Sequence, residues 1–138
     1  MVKSDTVEFR TKGDGDVIDL TDGVAAVVQE SGIREGIVTV CATGSTAAIT
    51  TIEYEPGLRQ DLPELMQKLI PSGRTYHHDS TWGDGNGYAH LRSALVGTSF
   101  TTAVSGGNPV LGTWQQIVFL EFDNRPRSRS VRVQIVGE

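Results

Sequence analysis

From Thr113 to Asp123 the chain reads Thr-Trp-Gln-Gln-Ile-Val-Phe-Leu-Glu-Phe-Asp. In an extended strand successive side chains point to opposite faces. Ile117 and Phe119 therefore lie on one side, and Val118, Leu120 and Phe122 on the other. A strand at a solvated sheet surface alternates apolar with polar residues, so one that is apolar on both sides must be covered on both sides. The segment predicts either the central strand of a layered domain or a strand buried by a partner chain.

Elements that could cover it run along the rest of the sequence. Thr6–Arg10 alternates Val7 and Phe9 with polar residues, the period of a half-buried strand. Thr21 or Asp22 can cap a helix that presents Val24, Val27 and Val28 and stops at Gly32. Gly36–Cys41 is β-branched and reads as a buried strand; Ala47–Tyr54 fits a strand or a helix, and its threonines and isoleucines favour the strand. Glu55-Pro56-Gly57 predicts a turn. Asp61 then predicts a helix start, with Glu64 at the reciprocal capping position, Pro63 in the first turn, and an apolar stripe of Leu62, Leu65, Met66, Leu69 and Ile70. Residues 74–88 predict a loop, Ala89–Val96 a short helix, and Thr98–Val104 a strand entering a hairpin turn at Ser105–Asn108. Val131, Val133 and Ile135 alternate in a last strand. The sum is six or seven strands and about three short helices. It predicts an α+β fold, a largely antiparallel sheet or sandwich with helices packed on it. The 138 residues are read as one domain, 1–138.

Charge narrows the partners. Seventeen acidic residues against twelve basic ones give a net charge of -5. Nucleic-acid binding rests mainly on neutralising phosphates, so that class is disfavoured. A small phosphorylated ligand needs only a few local donors and stays open. No apolar run approaches a bilayer span, no signal-peptide pattern opens the chain, and Cys41 is the single cysteine. These features predict a cytoplasmic protein with neither an internal disulfide nor a multi-cysteine zinc site.

All three histidines, His77, His78 and His90, fall in one polar stretch together with Asp79, Asp84, Asn86 and Tyr88. Imidazole is a neutral metal ligand or a proton carrier near pH 7, and Asp79 or Asp84 could orient one. If the stretch is extended, His77 and His78 point to opposite sides, so at most one shares a site with His90. The competing reading is a polar loop whose histidines cap backbone groups. Gly83–Gly87 has backbone freedom that suits a phosphate cradle, although a plain loop explains it as well. Ser45 and Thr46, in a turn after a buried strand, could donate hydroxyls to a phosphate or cap the next element. Arg125, Arg127 and Arg129 alternate before the last strand. Arginine suits bidentate contact with phosphate, and a solvated strand edge is the plainer explanation.

Three segments taken together resemble a known family: Gly44–Glu53, Tyr76–Leu91 and Gly107–Ile117. Their order and spacing are similar to those of the YjbQ family, and the Gly-Thr-Trp-Gln run at Gly112–Gln115 is the most specific part. The resemblance implies a compact α+β sandwich, a homotrimer, and a polar pocket near a subunit boundary. His78 and His90 match the family's recurrent histidines, and Glu53, Asn86, Trp114, Gln115 and Arg127 match other recurrent positions. The activity it implies is that of a secondary thiamine-phosphate synthase, which joins a hydroxymethylpyrimidine diphosphate to a thiazole phosphate and releases diphosphate. Many members carry a histidine where this chain has Gly44, which bears on any shared metal site.

The expected site is therefore His78, His90, Asn86 and Glu53 for catalysis. Ser45, Thr46, Asp84, Trp114, Gln115 and Arg127 are expected to contact substrate or phosphate. His78 and His90 are the expected ligands of a divalent metal, magnesium or zinc. The rival readings are a metal-assisted hydrolase at the same histidines and a non-enzymatic trimeric ligand-binding protein.

Overall fold

A computed structural model describes residues 1–138. The strand that opened the argument is β7, Gln116–Glu121. It is the middle strand of a three-stranded antiparallel sheet in which β2, Val17–Asp19, and β4, Ala47–Ile52, flank it. A second antiparallel sheet of five strands has the order β1 (Val2–Thr11), β8 (Arg127–Gly137), β3 (Gly36–Ala42), β5 (Ser99–Ser105) and β6 (Asn108–Pro109). Helix α1, Thr21–Ser31, closes the space between the sheets. Helices α2 (Pro56–Leu69) and α4 (Gly87–Val96) cover the outer face of the small sheet, and α3 (His77–Trp82) precedes α4. The architecture is α+β, as the patterning predicts, with four helices and eight strands.

Strand β7 divides its residues between two cores. Ile117 and Phe119 face the large sheet and meet Val38, Val40, Val131, Val133 and Ile135, with Val24 and Val28 of α1. Val118 and Leu120 face the helices and meet Met66, Tyr88 and Ala89. Burial of all four is nearly complete. The two-sided apolarity is thus satisfied within the chain: β7 is a central strand, and its composition calls for no partner.

Three local expectations are corrected. Helix α2 starts at Pro56, in the predicted turn, because the Glu55 carboxylate accepts hydrogen bonds from the Gly57 and Leu58 backbone N–H groups and Pro56 pre-sets the first turn. Asp61 and Pro63 consequently lie inside the helix, where Pro63 leaves one backbone acceptor without its donor. Of the predicted apolar stripe only Met66 is buried, while Leu65 and Leu69 face solvent. Second, residues 77–82 form α3 rather than a loop: Asp79 accepts from the Tyr76 N–H at 2.9 Å and fixes the first turn, and Gly83 at φ 72° ends it. Third, β2 is too short to show a period and was not foreseen.

Strands β1 and β8 pair along their whole length, from Val2 opposite Val136 to Thr11 opposite Arg127. The close approach of β3 to β8 requires glycine, because a Cβ at Gly36 would lie 2.0 Å from the Val136 carbonyl oxygen.

Tyr88 lies in the helix-side core under the Arg92 guanidinium, 4.7 Å from its ring centroid. Burial pushes its hydroxyl up to about 12. The folded state therefore holds this proton more tightly than the unfolded chain does. The contribution is complete below the ordinary tyrosine value near 10 and is lost as pH rises towards 12, by at most about 1.4 kcal/mol per pH unit. Urea denaturation between about pH 9 and pH 11.5 should show a steeper loss of stability for wild type than for Tyr88→Phe. Parallel profiles would refute the assignment.

Candidate active site

At one end of the small sheet, the turn into β4, the end of β7, the start of β8 and the start of α4 surround a cleft of about 600 Å³. Gly44, Ser45, Thr46, Asp84, Asn86, His90, Asp123, Asn124, Arg125, Arg127 and Arg129 line it, and none is hydrophobic.

Two buried carboxylates hold its arginines: Asp123 lines the cleft, and Glu121 lies behind Arg129. As β7 leaves the core it carries Glu121, which is fully buried, and then Asp123, 2% exposed. Strand β8 returns opposite with Arg127 and Arg129, and each arginine meets one of them. Arg129 donates from Nε and Nη2 to the two oxygens of Glu121 and again from Nη2 to the Thr46 hydroxyl at 2.9 Å. Thr11 donates its hydroxyl to Glu121 at 2.7 Å. Asp123 accepts from Arg127, from Thr46 Oγ1 at 3.3 Å and from Asn86 Nδ2 at 3.3 Å. Burial alone would raise the Asp123 carboxyl. The Asn124 N–H, Asn86 and the Arg127 guanidinium outweigh it and hold the group below the usual carboxylate range. Because Asn86 Nδ2 is committed to Asp123, its Oδ1 is buried without a donor.

The histidines meet at the cleft's edge through a glycine contact. A Cβ at Gly87 would lie 2.8 Å from Tyr76 Cβ and 3.3 Å from His78 Cβ, so only glycine lets α4 begin against α3. One turn along α4, His90 then stacks on His78, with ring centroids 4.3 Å apart and planes inclined by 40°. Both residues are partly buried, while His77 is exposed. The separation of His77 from the other two follows from helix geometry, not from the extended backbone used to anticipate it. His78 Nδ1 is buried with no hydrogen-bond partner, 3.6 Å from Asp84 Oδ1 and 3.8 Å from Asp79 Oδ1. The Tyr76 and Gly87 N–H groups hold the Asp79 carboxyl below its ordinary range, so it stays ionised beside the imidazole. His78, Asp79 and Asp84 bring ligand-type atoms within 4.8 Å of one another.

Of the expected residues, the fold gathers Ser45, Thr46, Asp84, Asn86, His90 and Arg127 around the cleft, with His78 stacked on its rim. Glu53, Trp114 and Gln115 lie elsewhere. Strand β4 separates Glu53 from Thr46, roughly 20 Å at about 3.3 Å per residue. Gln115 is bonded to Gly112 and Thr51 at that far end, and Trp114 is 72% exposed. Asp123 in the cleft lining, and Glu121 behind Arg129, are the residues that sequence reasoning did not single out; Arg129 was read only as one of three alternating arginines. Their signal was available: two carboxylates interrupt an apolar strand, and two alternating arginines open the strand that follows.

Comparison with known proteins extends over the whole chain. The model of a family described as UPF0047 protein YjbQ-like matches residues 5–138. A UPF0047 protein of Archaeoglobus fulgidus is 44% identical over 119 residues, 86% of this chain and 90% of its own. The UPF0047 protein YugU of Bacillus subtilis is 34% identical over 133 residues, 96% of this chain and 98% of its own. A YbjQ-like protein of unknown function from Sulfolobus solfataricus has the same fold, with a TM-score of 0.89 at 31% identity and 100% of each chain covered. A hypothetical protein of Aeropyrum pernix gives 0.86 at 34% identity, covering 97% of this chain and 99% of its own. With the likeness running through every element that builds the cleft, the chain belongs to the YjbQ-like UPF0047 family.

Proposed function

We propose that the cleft is the active site of a small enzyme acting on a phosphate-bearing substrate. The observation that supports this reading is the convergence of Arg125, Arg127, Arg129, His90 and the Ser45–Thr46 turn on a cleft without an apolar side chain. The specific reaction proposed is that of a secondary thiamine-phosphate synthase. The pyrimidine methylene–oxygen bond breaks, the thiazole nitrogen forms the new carbon–nitrogen bond, and diphosphate departs. Negative charge grows on the leaving oxygens, so preset N–H donors supply the main stabilisation. Arg127 and Ser45 would face those oxygens, and the His78–His90 pair would carry a proton to them. Asn86 would act from the cleft wall by holding Asp123 in place through its Nδ2.

The unpartnered Nδ1 of His78 between two carboxylates fits a divalent ion such as magnesium or zinc, with Asp84 and Asp79 as its other protein contacts. When bound, such an ion would neutralise phosphate charge. The same donor set supports a second reading, metal-assisted hydrolysis of a phosphate ester at this cleft.

We further propose a homotrimer. Trp82 at 74% and Trp114 at 72% exposure are large apolar surfaces at different ends of the molecule. Glu53, Trp114 and Gln115 would reach a cleft only on a neighbouring copy. Light scattering at micromolar concentration should give three times the chain mass, and a monomer would refute it.

The deciding assay offers the pyrimidine diphosphate and thiazole phosphate with and without magnesium and measures thiamine phosphate formed. No product under either condition removes the synthase reading. Hydrolysis of phosphate esters dependent on added metal would select the second. Phosphate-ester binding with no turnover would leave a ligand-binding protein.

A further inference from the structure

The geometry points to Arg129, looking into the gap above Gly44, as the anchor of the substrate's anionic group, with Glu121 as the positioning residue that aims it. This inference rests on the phosphate reading of the cleft and assigns that phosphate a place.

The guanidinium of Arg129 has five N–H donors, and the fold spends them unequally. Nε and Nη2 are committed to Glu121 and Thr46. Nη1 has no partner in the chain and is not sealed from solvent. It faces residue 44, where a Cβ would lie 3.3 Å from it, with no other heavy atom within 4 Å. A side chain there would occupy the approach to Nη1; glycine leaves it open to an oxyanion. Gly44 does not have a positive φ, so its backbone does not require glycine, and the residue is exposed, so packing does not require it either. The open approach to Nη1 is what glycine provides at this position.

The mounting makes Arg129 a better fixed donor than its neighbours. Its side chain is 10% exposed and held by a fully buried carboxylate that Thr11 also bonds. A flexible arginine must be ordered when it binds; this one is ordered beforehand, so less side-chain freedom is lost on binding. Arg125 has no ion pair and is exposed, and Arg127 is 31% exposed with Nη1 committed to Asp123. Both can close around an anion but neither is held on two sides. Charge-assisted hydrogen bonds from a fixed guanidinium are short and strong, so blocking one should weaken binding markedly.

The test is titration calorimetry with inorganic diphosphate at low ionic strength on three proteins: wild type, Gly44→Val, and the double variant Glu121→Leu/Arg129→Met, which removes the donor without leaving a buried charge. Wild type should bind, and both variants should bind about tenfold or more weakly while keeping a cooperative melt. Undiminished binding by Gly44→Val, or no binding by wild type, would overturn the assignment. Thiamine-phosphate synthesis is followed in parallel. Diphosphate binding that is lost in Gly44→Val, in a protein without turnover, removes the catalytic reading and keeps the subsite. Turnover and diphosphate binding that survive Gly44→Val remove the subsite and keep the catalytic reading.

Discussion

Replacing His78 or His90 with alanine should lower turnover by about 10²–10⁴-fold, the usual contribution of a positioned proton carrier, while His77→Ala stays close to wild type. The asymmetry follows from placement. His78 and His90 stack at the cleft with their ring nitrogens uncommitted to the fold, whereas His77 faces solvent on the first turn of α3. Because neither imbalance of hydrogen bonds nor a large cavity results, the melting temperature should move by only a few degrees. Loss of the stacking contact alone accounts for a shift of that size. Steady-state rates and thermal melts on the three variants decide the matter. If all three lose activity equally, the pair is not the proton-handling unit. If His78→Ala and His90→Ala melt far lower and their residual rates track the folded fraction, the pair is a structural clasp between α3 and α4.

The second large effect is on stability. Glu121→Ala should destabilise the protein by about 3–5 kcal/mol, the cost of leaving one member of a buried ion pair without its partner. Against a typical total of about 5–15 kcal/mol, that change would leave the fold marginal. The carboxylate is fully buried, and Arg129, Thr11 and the Asp123 N–H all depend on it. Removing both charges should cost much less, since well-packed apolar residues often replace such pairs without penalty. Glu121→Leu/Arg129→Met should therefore recover most of the stability lost in Glu121→Ala. Urea denaturation of both variants tests this. A double variant no more stable than the single one would show that Thr11, Thr46 and the turn at Asp123 require the carboxylate itself.

Much of this architecture could be read from residue order. The two-sided apolarity of Ile117–Phe122 called for a cover on each face, from within the chain or from a partner, and the structure supplies both covers within the chain. The β-branched run of β3 and the alternation of β1 and β8 were equally direct. The elements misread were those in which a side chain overrules local preference. Glu55 moves the start of α2 back to Pro56, and Asp79 turns a glycine- and histidine-rich stretch into a helix. The site divided in the same way. His78, His90 and Asn86 stood out by residue type, but the roles of Glu121, Asp123 and Arg129 arise only when β7 and β8 are brought face to face. A carboxylate in an apolar strand and an arginine at a strand's start each look ordinary until paired.

The full-length pairing of β1 with β8 also sets the order in which the fold can be completed. Contacts between residues so distant in sequence are slow to form, because loop closure must come first. During synthesis β1 emerges before β8 and waits as an unpaired strand until its partner has left the ribosome. Pairing of β8 with both β1 and β3 is then the step that locks the large sheet. Its apolar residues Val131, Val133 and Ile135 seal the inter-sheet core at the same moment that Arg127 and Arg129 reach Asp123 and Glu121. Assembly of the cleft is thus tied to the pairing of β8, and a chain stalled before β8 would have neither a closed sheet nor a pair of arginines to receive an anion.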